Sequence, residues 1–352
     1  MTEPLRVETR EIGADRPAFL IAEVSANHDR DLDQALALVD IAADAGWDGL
    51  KLQTYDADSL TIPSDHPSMR IDPVWGHARL YDLYSNAGMP MAFHRPLFDR
   101  ARERGLVPFT SIYDPRDLDF VESLDPAIYK IASFEMTFDD LLIAVAGTGK
   151  PLILSTGMAD MAEIGHAVEV FTTRSAAPLI LLHCCSSYPA PPDQINLAAM
   201  QTMRAAFGCM VGFSDHTLGA LAPIAATAMG AVAIEKHFTN DPARPGPDHR
   251  FSATPEVMAE IAAGVRAVHA MKGDGQKATT AAEQGNKAVG RRSAFALRDL
   301  AAGTVIAPGD FRFVRPAAGI APNDPAGVRG RRLRHAVRAG HPITADDLDP
   351  PR

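Results

Sequence analysis

The sequence predicts an α/β fold in which eight parallel strands alternate with helices and close into a barrel, followed by a small β-rich unit. Three observations support this. From residue 18 onward, short apolar runs of β-forming residues alternate with helix-period segments, and the order repeats as in a parallel sheet. A length of 352 residues with 46% hydrophobic composition suits a barrel with a sizeable core plus an appendage. After Lys272 the composition turns to Gly, Gln, Ala and Thr, which reads as a linker, and short β-like pieces follow it.

The first strand is Ala18–Val24, ending in Glu23 with Asn27 and His28 just beyond. Residues 31–45 then carry Leu32, Ala35, Leu36, Leu38, Val39 and Ala42 at helical spacing and stop at Gly46, a helix C-terminal signal. The second strand, Asp48–Thr54, carries Lys51 and Gln53. Residues 55–90 interrupt the repeat with Pro, Asp, Ser and aromatics; such an insertion in a compact fold is usually a lid or binding loop, here with a short helix at Leu80–Ala87. A helix near His94–Arg104 leads to strand three, Val107–Ser111, and a helix near Pro115–Ser123 to strand four, Ile128–Ser133. Strands five to eight are Pro151–Ser155, Leu179–Cys184, Cys209–Ser214 and Val232–His237, with a closing helix at Pro255–Met271. No Gly-rich phosphate fingerprint follows strand one, so a doubly wound open sheet yields to a (β/α)8 TIM barrel. The expected division is a barrel over 1–275, a linker over 276–289 and a tail over 290–352. In the tail, the run Asp299 to Ile306 is echoed by Val337 to Thr344. A unit of about sixty residues is marginal alone, so it is expected to dock on the barrel or on a second subunit.

A net charge of −10 argues against a nucleic-acid-binding surface; the basic run Arg329–Arg338 reads as a solvated or subunit-facing patch. Cys184, Cys185 and Cys209 form no disulfide or metal pattern, and the adjacent pair reads as small apolar residues in a buried strand. The N-terminus shows no signal segment and no apolar run approaches a membrane span, so a soluble cytoplasmic protein is expected.

The chemistry gathers between Gly212 and Phe238. His216 and His237 are twenty-one residues apart, the length of one turn, helix, loop and strand, which puts both at the C-terminal ends of neighbouring strands. Histidines so placed can share a divalent ion through neutral imidazoles, or be ordinary polar residues at strand ends; the crowding of Ser214, Asp215, Glu235 and Lys236 around them favours a site. Around the same mouth fall Glu23, Lys51, Gln53, Ser111, Lys130, Ser133, Glu135, Ser155, Ser186 and Tyr188, with Asp248 in the loop after strand eight. Two lysines and several hydroxyls suit a phosphorylated or carboxylated anion, and Glu23 and Glu135 are available for proton transfer. Lys51 and Lys130 are either paired with Glu23 and Glu135 or reserved for that anion. Ser133 and Ser155 can alternatively cap the following helices, and Tyr188, among Pro189, Pro191 and Pro192, can be loop packing.

These residues carry a resemblance. The runs Ile21 to His28, Lys51 to Tyr55, Tyr129 to Glu135, Leu154 to Met158, Gly212 to Thr217, Glu235 to Phe238 and Arg244 to Asp248 resemble, in order and over nearly the whole chain, the sialic acid synthase family. The tail, with Arg291-Arg292-Ser293 and Val314-Arg315-Pro316, resembles that family's antifreeze-like (SAF, β-clip) domain. Within the family, Tyr129 to Glu135, Gln53 to Tyr55 and Leu80 to Tyr84 look most like the pseudaminic acid branch. Two stretches depart: Met89 to His94 lacks that branch's tryptophans, and Ser186 stands where neuraminate synthases carry a longer asparagine that helps hold phosphoenolpyruvate.

The resemblance implies condensation of phosphoenolpyruvate with a hexosamine-derived aldehyde to a nine-carbon 2-keto acid, with phosphate released. It implies a divalent ion, Mn2+ or Mg2+, on His216 and His237, and Glu23 and Glu135 moving protons. Lys51, Ser111, Lys130, Ser133, Ser155, Ser186 and Ser214 correspond to the family's phosphoenolpyruvate contacts. Gln53, Tyr188 and Asp248 correspond to its sugar contacts, and Arg315 to an arginine that enters the other subunit's site in a domain-swapped homodimer. Neuraminate and legionaminate synthases share this set. A metal-dependent aldolase or hydrolase would need no pair of anion-facing lysines, and a non-catalytic sugar-binding or assembly protein would need neither Glu23, Glu135, His216 nor His237.

Overall fold

In the computed structural model, which describes residues 3–71 and 79–350, a short hairpin precedes the eight expected strands. The hairpin is β1 (Leu5–Val7) and β2 (Arg10–Ile12). The barrel strands are β3 (Phe19–Glu23), β4 (Gly49–Thr54), β5 (Val107–Ile112), β6 (Tyr129–Ile131), β7 (Leu152–Ser155), β8 (Leu179–Cys184), β9 (Met210–Asp215) and β10 (Ala233–His237). Each pairs with the next in parallel, and β10 pairs with β3 to close the ring. Closure removes both sheet edges, so every strand can be apolar over most of its length without exposing a ladder.

Alternation divides each strand's side chains between two cores. The outward set, including Leu20, Ala22, Leu50, Leu52, Ile131, Leu154 and Leu181, packs under the surrounding helices. The inward set at the N-terminal end, Phe19, Ile21, Val107, Phe109, Ile128, Ile153, Ile180 and Leu182, fills the barrel's base. Leu5, Val7 and Ile12 of the hairpin join this second cluster and plug that end. Strands of three residues are too short for a periodicity signal, so the sequence reading missed this plug. Gly49 is required by the filling: a Cβ there would lie 2.9 Å from the Phe19 ring and 3.2 Å from Phe109.

Other boundaries move for local reasons. Strand β6 is shorter than expected because Ser133–Glu135 turns into a single 3-10 turn, so Ser133 and Glu135 lie beyond the strand and not on it. The helix expected from His94 begins at Met91, immediately after Pro90. Within the 55–90 insertion there are a one-turn helix at Ala57–Leu60, capped by Asp56, and the expected helix Leu80–Ala87; residues 72–78 of that insertion lie outside the described residues. Arg30 ties the end of the second helix down through Ser85 O (2.9 Å) and Gly88 O (2.8 Å).

The chain divides into compact units at Gly273/Asp274. In the second unit, the expected linker contains a 3-10 turn at Ala281–Glu283 and a helix at Gln284–Gly290. There β11 (Ser293–Ala296) pairs antiparallel with β12 (Phe311–Val314) over a core of its own that includes Leu300, Ile306, Phe311, Leu333, Val337 and Ile343. The pieces expected at 299–303 and 305–306 are single bridges, Leu300 to Val337 and Val305 to Arg332. The first of these joins the two echoed runs. Among the described residues no helix is long and apolar enough to cross a membrane.

Candidate active site

Two residues further along each strand, the inward positions of the barrel change character. Glu23, Lys51, Ser111, Lys130, Ser155, Cys184, Ser214 and Glu235 form a polar layer above the apolar base, all buried. Lys51 Nζ lies 2.9 Å from Glu23 Oε2, 3.6 Å from Glu235 Oε1 and 3.1 Å from Ser111 Oγ. Lys130 Nζ donates to Ser155 Oγ at 2.6 Å and to Ile131 O at 3.0 Å, but its nearest carboxylate, Glu235 Oε2, is 3.9 Å away. Ser214 Oγ donates to Glu235 Oε1 at 3.1 Å. Of the two readings of the lysines, paired with Glu23 and Glu135 or reserved for an anion, the first holds only for Lys51, which takes Glu23; the carboxylate shared by both lysines is Glu235. Glu235 was noted in the sequence only as flanking polarity. Its position two before His237 on one strand puts it on the inward face, and that parity was the available signal.

The charges here are unequal in their states. Burial drives Lys130 down to about 8, Lys51 adding repulsion and Glu235 opposing. Burial also pushes Glu23 up to about 7 against the pull of Lys51, and Glu135 up to about 7 against the pull of Lys130. Burial would raise Glu235 as well, but Lys130 and Lys51 together hold it below the ordinary carboxylate range. One permanent carboxylate thus neutralises part of two cations, and two further carboxyls titrate near neutrality. Such a separation of roles by environment is how acid and base are assigned within one site. Glu135 Oε2 is buried without a hydrogen bond, and Glu135 makes no ion pair among the described residues.

Beside Lys130, Ser133 Oγ accepts the Gly157 N–H at 3.0 Å and lies 3.1 Å from Cys184 Sγ. A Cβ on Gly157 would fall 2.2 Å from Ser186 Oγ and 2.7 Å from Cys184 Sγ, so Ser133, Ser186 and Cys184 converge on a backbone only glycine can supply. Two expectations change. Ser133 and Ser155 bond within the site and cap no helix. Cys184, read as a packing residue, faces the mouth among hydroxyls.

The histidines flank the opposite side. His216 Nδ1 lies 2.8 Å from the Cys185 carbonyl, which only accepts, so Nδ1 carries the proton and Nε2 keeps a free lone pair. His237 Nδ1 is buried without a hydrogen bond, 3.9 Å from Asp248 Oδ2. Burial lowers both imidazoles, His237 strongly, and keeps them neutral. Their ring centroids are 5.4 Å apart, and the Tyr188 ring lies 4.3 Å from that of His216, tilted by 43°, so Tyr188 is part of the mouth and not loop packing. Among the described residues, no three His, Cys, Asp or Glu side chains converge as a closed ligand set. Two neutral imidazoles, one with its tautomer held by a carbonyl and one with an orphaned nitrogen, fit an open divalent site whose other positions belong to water and substrate. Their sequence neighbours Asp215 and Lys236 point the other way and pair with each other behind the barrel wall.

On the third side, Gln53 Nε2 donates to Glu23 Oε1 at 2.7 Å and to Ser25 Oγ at 3.1 Å. Ser25 Oγ donates to Asp248 Oδ2 at 2.5 Å. Ser25 is a second residue that sequence reasoning missed, because it lies past the strand in a loop where parity no longer applies. Arg315 is exposed just after β12, in the second unit.

Charged and polar groups buried this densely at the carboxyl ends of barrel strands oppose folding, and barrels keep them for chemistry. The class is a TIM-barrel enzyme with a charged, hydroxyl-lined mouth at the carboxyl ends of its strands. The sequence matches the NeuB family over residues 38–277 and the SAF domain over 291–349. It is 34% identical to a pseudaminic acid synthase of Campylobacter jejuni over 95% of this chain and 97% of the relative. It is 36% identical to the N,N'-diacetyllegionaminic acid synthase of Legionella pneumophila over 96% of each chain. Among solved structures, the N-acetylneuraminic acid synthetase of Leptospira borgpetersenii, in complex with citrate, superposes with a TM-score of 0.73 at 32% identity, over 81% of this chain and 95% of that one. The chain belongs to the NeuB family.

Proposed function

We propose that the protein is a phosphoenolpyruvate-dependent nonulosonate synthase: it joins phosphoenolpyruvate to an amino-sugar aldehyde with addition of water, giving a nine-carbon 2-keto acid and inorganic phosphate. The observation that carries this reading is the under-compensated Lys130, 3.9 Å from its nearest carboxylate, next to Lys51 and a ring of hydroxyls. A buried cation in that state is completed by an anionic ligand, and phosphoenolpyruvate brings both a phosphate and a carboxylate. Ser111, Ser133, Ser155, Ser186 and Ser214 supply neutral donors around it.

Bond formation joins C3 of phosphoenolpyruvate to the aldehyde carbon and the aldehyde oxygen gains a proton; water adds at C2 and loses one proton, and as the C2–O bond to phosphate breaks the remaining hydroxyl proton leaves with the phosphate, so that C2 becomes the ketone. One proton is given and one taken. Glu135, unpaired and raised to about 7, is suited to give it; Glu23, also titrating near 7 and 2.9 Å from the Lys51 cation that favours its ionised form, is suited to take it. Glu235, kept charged, offsets the positive charge that develops at C2. A divalent ion, Mn2+ or Mg2+, held by His216 Nε2 and His237 Nδ1 would supply Lewis acidity at the aldehyde oxygen. Gln53, Tyr188 and Asp248 line the side that takes the sugar.

The finer reading is a pseudaminic acid synthase using 2,4-diacetamido-2,4,6-trideoxy-L-altrose, supported by the likeness of Tyr129 to Glu135 and Leu80 to Tyr84 and by the Campylobacter relatives. A phosphate-release assay with phosphoenolpyruvate against that sugar, its legionaminate-type isomer and N-acetylmannosamine tests both levels. Release with none of them overturns the class; release with another sugar moves only the substrate. The reading extends to a cytoplasmic homodimer: three unpaired thiols suit a reducing compartment, and Arg315 of one subunit is proposed to complete the other's mouth. A chain ending at residue 285 that keeps a folded barrel and normal turnover would exclude that role for Arg315.

A further inference from the structure

We infer that Ser25 is a positioning residue that sets the acceptor specificity of this site; the inference rests on the synthase reading above. Ser25 is 5% exposed and has a φ of +46°, in the left-handed region that glycine occupies freely and other residues avoid. A non-glycine residue held there, just past a barrel strand, stores strain that a functional contact explains. The side chain makes that contact. Its hydroxyl has one hydrogen, donated to Asp248 Oδ2 at 2.5 Å, and its lone pair accepts from Gln53 Nε2 at 3.1 Å.

The consequences follow by counting donors and acceptors. Gln53 spends both amide hydrogens, on Glu23 Oε1 (2.7 Å) and on Ser25, so its Oε1 is turned away from them with no protein donor among the described residues. Asp248 Oδ2 is taken by Ser25 and by the Ala26 N–H at 3.2 Å, which leaves Oδ1 likewise without a protein donor. Ser25 therefore fixes two acceptor oxygens, one from β4 and one from the loop after β10, in one orientation. A face made only of acceptors selects ligand donors: sugar hydroxyls and, most specifically, the N–H of an acetamido group. Without the Ser25 hydroxyl, the Gln53 amide loses the acceptor that orients it and Asp248 loses the donor that holds it.

The test uses two variants of the full chain. Ser25→Gly removes the hydroxyl and relieves the backbone; Ser25→Ala removes the hydroxyl and keeps the strain. Both are expected to raise KM for the diacetamido acceptor about 10- to 100-fold, the range for losing a hydrogen bond to a charged group, with KM for phosphoenolpyruvate within about twofold of the parent. Thermal unfolding is expected to show Ser25→Gly at least as stable as the parent, a direction opposite to that of a purely structural serine. The inference is overturned when either variant keeps the parental acceptor KM, or when both substrates' KM values rise together. A parent enzyme that releases no phosphate with any acetamido sugar overturns the synthase reading itself, and this inference with it; a competent parent matched by Ser25→Gly overturns this inference alone.

Discussion

The two ends of the barrel interior are built from the same strands and the same alternation, yet they are opposite in chemistry. At the N-terminal end, inward positions are Phe19, Ile21, Val107, Phe109, Ile153 and Ile180, sealed by Leu5, Val7 and Ile12 of the hairpin. One inward step along, about 6–7 Å, they are Glu23, Lys51, Ser111, Lys130, Ser155, Ser214 and Glu235. Each large apolar side chain at the base contributes about 1.5–3 kcal/mol on burial. Each buried charge above it opposes folding unless paired. The base thus offsets the cost of a mouth whose charges are arranged for a ligand, and the hairpin keeps water from reaching them from below.

Substitutions at the two ends should fail in different ways. The largest effect is expected at the mouth: His216→Ala or His237→Ala should lower metal-dependent kcat/KM by about 10³-fold, several kcal/mol of transition-state stabilisation, with thermal unfolding little changed. Full activity of either variant after chelator treatment would remove the proposed ion. Glu235→Gln comes next. Taking one partner from a buried charge cluster costs about 2–5 kcal/mol, and we expect this to show as a rise of about 10²-fold in KM for phosphoenolpyruvate, read by phosphate release. At the base, Gly49→Ala puts a methyl 2.9 Å from the Phe19 ring and should cost about 1–3 kcal/mol in denaturant unfolding while leaving kcat/KM of the folded enzyme unchanged. Lost activity there without lost stability would break the division of labour.

The smallest effect is the pH response. Glu135 and Glu23 are raised from 4.5 to about 7, so the folded protein holds protons that the unfolded chain releases earlier. Their contribution to stability is most favourable below pH 4.5 and is lost as pH rises through about 7. For catalysis, an acid at Glu135 makes kcat fall about tenfold per unit above pH 7, and Glu135→Gln should remove that limb from the profile. A parental kcat that is flat from pH 6 to 9 would assign the proton to another group.

Much of this site was legible because strand parity and motif order are local properties. Lys51 and Gln53 lie two apart on β4, Ser214 and His216 two apart at the end of β9, and a strand cannot turn one inward without the other. The same rule reached Glu235 through His237, but a carboxylate beside a lysine reads as ordinary flanking polarity until its distances to Lys51 and Lys130 are known. Cys184 looked apolar because a thiol in a buried strand usually is. Only the neighbouring loop, with Gly157 and Ser133 against it, makes it part of the mouth.

By itself the sequence determined the eight-strand barrel, the separate C-terminal unit, the family and most of the polar side chains at the mouth, since hydrophobic period, turn residues and spacing are written along the chain. The tertiary structure decided which carboxylate the two lysines share, which imidazole nitrogens are left free, how Ser25 orients Gln53 and Asp248, and what plugs the base. Each of these depends on residues as far as 223 positions apart meeting within hydrogen-bond distance, and that proximity exists only once the ring of strands has closed.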